Sequence, residues 1–348
     1  MCQLAYAKAC RRAGHHDAAA LAVLEACAAG VPGAPLERAK LMWQLNDPHQ
    51  ALSILPEVAA GARTAAAAGD SPPAGVGKAL LRMAIWAHST GLKEKSEAIK
   101  MFQTAISSAG QGTTAVGQGC EKAHFHFARY LDDVMQHLAE AERATTVPKP
   151  TKGKPSKVVT KAEEPSDYYL LHAVKNYVNG LKYGHTKIYV ALPRLLTLWF
   201  DYKQTDKEKA TSSKDTPTEL NKTVELALKQ LPTYQWYTAL PQLTSRINHP
   251  NAAVRDLLKR ILVRVVTDMP HQALWTMAAV LRSKDPNRTK AASEVLMEAK
   301  RGSTEPKKRL RELIAKFASL QVRVHLRSLP HSVSLNSLSF AWQIRRLY

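Results

Sequence analysis

The 348-residue sequence predicts an all-α fold, an α-solenoid of degenerate helix pairs, and three observations carry that expectation. Ala, Leu, Lys, Glu, Gln and Arg dominate outside a few loops, and these residues lose little side-chain freedom in a helix. Apolar residues recur every three or four positions, as in Leu92, Ile99, Phe102, Ile106 and in Phe127, Leu131, Val134, Leu138, while period-two clusters of β-branched and aromatic residues are scarce. Helical stretches also alternate with short breaks that carry Gly or Pro, so each apolar stripe must bury against a neighbouring helix.

Between residue 3 and about residue 142 the breaks fall at Gly14, Gly30 to Pro35, Asn46 to Pro48, Gly69 to Gly77, Gly91, and Gly110 to Gly119. Each stretch between them is one helix long. Successive helices joined by short turns bury their stripes best as antiparallel pairs in a row, the architecture of tetratricopeptide and HEAT solenoids. No strict 34-residue motif repeats, so the repeats are degenerate.

Residues 145–166 (TTVPKPTKGKPSKVVTKAEEPS) hold four prolines, five lysines and no periodic apolar face, which predicts a flexible basic linker. A second polar break runs from Lys203 to Pro217. Helices are expected over Tyr168–Tyr183, Thr186–Tyr202 with Pro193 kinking or dividing it, Glu219–Gln230, Thr233–Ile247, Asn251–Met269, Gln272–Leu281 and Arg288–Lys300. Val254, Leu257, Leu258, Ile261, Leu262, Val265, Val266 and Met269 make a nearly unbroken stripe, and Pro250 fits the first turn of that helix. The expected division is helical repeats over 1–144, linker over 145–166, a second helical region over 167–320, and a non-homologous or disordered tail over 321–348.

Forty-five per cent of the residues are hydrophobic, enough for a substantial core, and the net charge is +20. The charge does not by itself argue for nucleic acid. Lys149, Lys152, Lys154, Lys157 and Lys161 share one Pro-containing loop, and no Asp or Glu follows Glu312. Flexible basic segments on a soluble chain account for that distribution better than a phosphate-binding face. Cys2, Cys10, Cys27 and Cys120 show no CxxC spacing, so reduced thiols are expected rather than a zinc knuckle or disulfide framework. No apolar run reaches membrane-spanning length, and no signal peptide is expected.

Sites for chemistry are scarce. GVGKAL around Gly77 and Lys78 departs from a phosphate-binding loop at Pro72, where Gly is needed, and at Ala79, where a metal-binding hydroxyl is needed. His15 with His16 and His124 with His126 point to different sides of a helix and read as ordinary histidines. The acid pairs Asp132–Asp133 and Glu163–Glu164 read as solvated charge. There is no Gly-rich loop after a strand, no catalytic loop of kinase type and no DFG. Of the six tryptophans, Trp43, Trp86, Trp199, Trp236 and Trp275 lie in helical patterns among Leu, Ile and Met and are expected in the core, and only Trp342 lies outside them.

LPRLLTLWFDY (Leu192–Tyr202), LPTYQWYTALPQLTSRINHP (Leu231–Pro250) and PHQALWTMAAVLRSKDPNRTKAASEVLMEA (Pro270–Ala299) resemble, in order, helices that precede the kinase domain in phosphatidylinositol-3-kinase-related kinases of the ATR type. AKACRRAGHHDAAALAVLEA (Ala7–Ala26), LERAKLMWQLNDPHQALSIL (Leu36–Leu55) and EKAHFHFARYLDDVM (Glu121–Met135) resemble earlier helical repeats of the same FAT domain. The resemblance covers about residues 3 to 315. It implies a scaffold segment of a nuclear serine/threonine kinase of the DNA-damage and replication-stress checkpoint, clamping a kinase domain and working with an ATRIP-like helical subunit. No cofactor is expected in this chain, since ATP and magnesium would belong to the kinase domain. After about Leu320 the chain departs from the family and resembles read-through, which points to a truncated product. Trp199, Tyr234, Trp236, Gln242, Arg246, His249, Gln272 and Trp275 are the expected interaction or structural residues, with Arg246 facing outward and Trp236 and Trp275 in the core. The alternative is a stand-alone helical-repeat adaptor binding a protein partner.

Overall fold

In the computed structural model the described residues are 2–56, 76–91, 93–110, 116–145, 165–202, 216–301 and 308–316. Every regular element among them is helical. The chain forms two compact units, Met1–Lys187 and Ile188–Tyr348.

The first unit opens with α1 (Cys2–Ala13), α2 (His16–Ala28) and α3 (Ala34–Gln44). Left-handed residues end all three, namely Gly14 (φ 85°), Gly30 (φ 63°) and Asn46 (φ 62°). At each, the following N–H reaches back to close the helix, His15 to Cys10 O (2.9 Å), Val31 to Ala26 O (2.9 Å) and Asp47 to Met42 O (3.0 Å). This is the Schellman arrangement, which glycine and asparagine adopt with least strain. Gln3 near the start of α1 donates to Glu25 near the end of α2, so the pair is antiparallel. Small residues, Ala7, Ala19, Ala22 and Ala26, fill the seam and let the helices approach closely. Glu37 of α3 is buried (1% exposed) yet ionic, held by Arg11 of α1 at 2.5 Å and Lys40 at 3.0 Å.

α4 (residues 48–56) starts at Pro48, the residue suited to a first turn, with Gln50 N–H capped by the Asp47 carboxylate at 3.0 Å. It packs with α3 and α5 (Val76–Thr90), where Trp43 and Trp86 stack at 4.5 Å. α6 (Lys95–Gly110), α7 (Val116–Thr145) and α8 (Ser166–Tyr183) complete a core around Phe102, Phe127, Leu131, Tyr169 and Ala173. α8 therefore belongs with the helices before the basic loop and not with those after it. The reason is that α7, thirty residues long, offers α8 a full-length antiparallel partner. Gly180 lets the two backbones close to 3.5 Å of its absent Cβ. The expected break at Gly110–Gly119 is shorter than the glycines suggest, because α7 already begins at Val116. Likewise, Asp132 is not a solvated acid. It is 5% exposed and accepts from Tyr177 Oη (3.4 Å) and Gln136 Nε2 (3.2 Å).

In the second unit the elements are α9 (Ile188–Phe200), α10 (Thr216–Gln230), α11 (Thr233–Thr238), α12 (Leu240–Ser245), α13 (Ala252–Asp268), α14 (Pro270–Leu281), α15 (Pro286–Lys300) and α16 (residues 308–316). α13 is the centre. Its Val254, Leu257, Leu258, Ile261, Leu262, Val265 and Val266 are all buried against neighbours on several sides, each worth about 1.5–3 kcal/mol of transfer free energy. The helix expected over Thr233–Ile247 is two short ones, because Pro241 has no N–H to donate to the carbonyl of Tyr237 four residues back and its ring crowds that carbonyl. Pro250 stands outside α13, whose N-cap is Asn251. The linker apart from Thr145, Pro165 and Ser166, most of the 203–217 break, Glu163, Glu164 and the 321–348 tail lie outside the described residues.

Candidate protein-binding groove

A groove of about 760 Å³ opens in the second unit between the end of α9, the end of α12 and the starts of α13 and α15. It is lined by Phe200, Asp201, Tyr202, Ser245, Arg246, Asn248, His249, Pro250, Asn251, Asp285 and Arg288. The local sequence explains the arrangement. Pro193 within α9 has no N–H, and its own carbonyl accepts from Thr197 Oγ1 (2.9 Å) and Gln242 Nε2 (3.1 Å). Gln242 thereby fastens α12 to α9. Trp199, 1% exposed, donates its indole N–H to Asn221 Oδ1 at 2.8 Å and ties α9 to α10.

His249 is the buried peg of the groove. Its Nδ1 accepts from the Asn251 N–H (3.2 Å), which leaves the proton on Nε2 to donate to Phe200 O (3.1 Å). Asn251 then caps α13 by accepting from Ala253 N (2.9 Å) and Val254 N (3.3 Å). On the rim, Arg246 pairs with Asp201 at 3.0 Å with both side chains about half exposed. Arg288 reaches from α15 to Thr244 O (3.3 Å) and Ser245 O (3.5 Å), placing a cation at the C-terminus of α12 where the dipole favours it. Asp285 caps α15 through the Asn287 N–H at 2.9 Å.

Nearly every polar side chain here is committed to holding helices together. No nucleophile is paired with a base among these contacts, and among the described residues no group of three or more His, Cys, Asp or Glu could hold a metal. The arrangement is a hydrogen-bonded, buried floor at His249 with a charged, half-exposed rim at Arg246 and Asp201.

The eight residues singled out in the sequence fall into three places. Trp199 and Trp236 are core; Trp236 is 0% exposed and its indole N–H finds no acceptor among the described residues. Gln242, Arg246 and His249 come together at or beside the groove. Tyr234, Gln272 and Trp275 are exposed elsewhere on the unit. Trp275 overturns the core expectation, since it is 63% exposed. The inner side of α14 is filled by Ala273, Leu274, Met277 and Ala278, which leaves no room there for an indole. Its neighbours Thr276 and Ala279 line a second, shallower groove with Pro241, Thr244 and Arg288. Arg288 and Asn251, read in the sequence only as helix starts, and Asp285 were not among the residues singled out for the site, although Asp285 before Pro286 is a legible N-cap signal.

The FAT-domain family profile matches residues 1–197, and a profile described as serine/threonine-protein kinase ATR-like, HEAT repeats, matches 219–321. The ATR serine/threonine-protein kinase of Arabidopsis thaliana is 33% identical over 92% of this chain, and that of Drosophila melanogaster 25% over 90%. The chain spans only 13% and 11% of those relatives. A solved structure of the FAT and kinase domain of CtTel1 superimposes with a TM-score of 0.61 over 91% of this chain and 23% of that one, at 14% identity. The complete CtTel1 dimer gives 0.59 over 83% of this chain and 11% of that one, again at 14% identity. At that identity the likeness speaks for the fold alone.

Proposed function

Since this chain belongs to the FAT-domain family and continues into ATR-like HEAT repeats, we propose that it is the helical scaffold segment of an ATR-like serine/threonine kinase acting in the DNA-damage and replication-stress checkpoint. The observation that carries this reading is collinearity: FAT and ATR-like matches follow one another along the chain, and ATR relatives align over about nine-tenths of it. The groove supports a scaffolding role, because it holds its polar groups in bonds between helices. ATP and magnesium belong, on this reading, to a kinase domain outside these residues. The segment works in the nucleus, and its partners are that kinase domain and an ATRIP-like helical subunit. The exposed Trp275 with Tyr234, Gln272 and the groove rim at Arg246 supplies the packing surface.

The test is immunoprecipitation of the endogenous polypeptide with an antibody raised against this chain, assayed on a Ser/Thr-Gln peptide before and after replication stress. The precipitate should phosphorylate the peptide, and the purified 348-residue chain should not. A cellular form with no kinase activity after stress would overturn the reading in favour of a stand-alone helical adaptor.

A further inference from the structure

One face of α7 carries Lys122, His126 and Arg129 at i, i+4 and i+7, which aligns them over about 10 Å, two helical turns. Lys122 and Arg129 are exposed and His126 is half-buried. Arg82, exposed on α5, which packs on α7, lies near enough to this face for its charge to act on His126. Lys187 is also held at this end of α7: its backbone N–H is bonded to Glu121 at 2.9 Å, and its Nζ lies 5.9 Å from the Phe125 ring centroid. Burial, and then the charges of Arg129, Arg82, Lys187 and Lys122, push the His126 pKa down to about 4. Among the described residues none of these four cations is in an ion pair. The result is a compact positive face, with the buried carboxylate of Glu121 bonded to the backbone of Lys187 and not to any of the four cationic groups.

We propose that this α5–α7 face docks an acidic helical segment of a partner protein, whose carboxylates meet Arg82, Lys122, Arg129 and Lys187. Charge complementarity identifies the occupant. A helix with Glu or Asp at i, i+4 and i+7 presents negative charge over the same two turns that Lys122 and Arg129 span. Arg82 and Arg129 add planar donors that match carboxylates two oxygens at a time. Nucleic acid fits less well. Asp133 stands one turn beyond Arg129, partly exposed and 3.6 Å from His88, so the positive track stops where a phosphate backbone would need it to continue. The proposal rests on this fold alone and is independent of the kinase reading.

The test uses the full chain and a fluorescein-labelled Ala-rich helical peptide with glutamates at i, i+4 and i+7, followed by anisotropy at several salt concentrations. Arg82→Glu with Arg129→Glu should weaken binding on the order of tenfold, whereas Lys284→Glu with Lys290→Glu, the same charge change on the second unit, should leave it nearly unchanged. All four positions are exposed, and circular dichroism checks that folding is kept. In the native chain the bound carboxylates offset the cations around His126, so its NMR titration midpoint should rise from about 4. Equal losses in both double variants would mean that only the overall positive charge attracts the peptide. A short DNA duplex that displaces the peptide at equal charge, with the same dependence on Arg82 and Arg129, would make the face a nucleic-acid site. Either result overturns the proposal.

Discussion

The backbone of Gly184 runs against the buried carboxylate of Glu121 so closely that a Cβ would lie 2.2 Å from Oε2. Its φ of −171° is open to any residue, so space and not torsion requires the glycine. Glu121, 2% exposed, is pinned by Thr186 Oγ1 (2.8 Å) and Lys187 N–H (2.9 Å), and it latches the chain after α8 onto the start of α7. Gly184→Ala must displace that carboxylate from both donors and should cost about 1–3 kcal/mol, read from urea denaturation. In a Glu121→Ala background the same substitution should cost little. Strictly additive losses in the double variant would show that this contact is not the cause.

The helices and their stripes were legible because one signal, apolar residues at period 3.6, suffices for them; Val254 to Val266 of α13 read the same in the sequence and in the core. What was illegible depends on residues distant in sequence. Glu37 meets Arg11 across 26 positions and Glu121 meets Lys187 across 66, so nothing local marks either acid as buried. Trp275 misled because a helical pattern does not say whether a large aromatic at the edge of the stripe faces the core or a partner. The groove was half legible: Arg246 and His249 stood out, but Arg288 reaches it from 43 and 44 positions away.

Glu37 should set part of the acid sensitivity of the first unit. Burial raises its pKa, yet the hydrogen bonds and charges of Arg11 and Lys40 outweigh burial and hold it below the usual value of 4.5. The Lys40 pKa is itself lowered, mainly by burial, so the ion pair does not fully offset the desolvation of its cation. A carboxylate with a depressed folded pKa contributes stability above its unfolded pKa and loses it as pH falls through the folded value. Stability should therefore drop below about pH 4.5, and Glu37→Gln should flatten that drop. Arg11→Met, which strips one partner from a buried charge, should cost on the order of 3 kcal/mol at pH 7 by chemical denaturation. An unchanged acid limb in Glu37→Gln would exclude this origin.

Asn251 and His249 form a relay whose two halves can be separated. Asn251→Ala removes the acceptor for two N–H groups at the start of α13 and should lower stability by about 1 kcal/mol, while Asn251→Asp keeps an acceptor and should be nearly silent. His249→Phe keeps ring volume but leaves Phe200 O and the Asn251 N–H without their partner, at a cost of about 1–3 kcal/mol. Thermal unfolding followed by circular dichroism ranks the three. If Asn251→Asp were as damaging as Asn251→Ala, the cap would not be the reason for Asn251.

Two tryptophans 39 positions apart in the sequence, Trp236 and Trp275, provide the sharpest contrast between core and surface. Trp236 is fully buried, and Trp236→Ala should cost about 3–5 kcal/mol through lost burial and the cavity left behind. Trp275 is 63% exposed, so Trp275→Ala should change stability by no more than about 0.5 kcal/mol. An exposed indole at an interface commonly carries a large share of binding energy, so on the proposed function the same substitution should weaken association with the proposed kinase-domain or helical partner by about 2 kcal/mol, near thirtyfold in Kd. Denaturation of the isolated chain and co-precipitation from cells expressing the full-length variant measure the two effects separately. Lost stability with unchanged association would make Trp275 a folding residue. Unchanged stability with unchanged association would remove the face of α14 from the proposed packing surface.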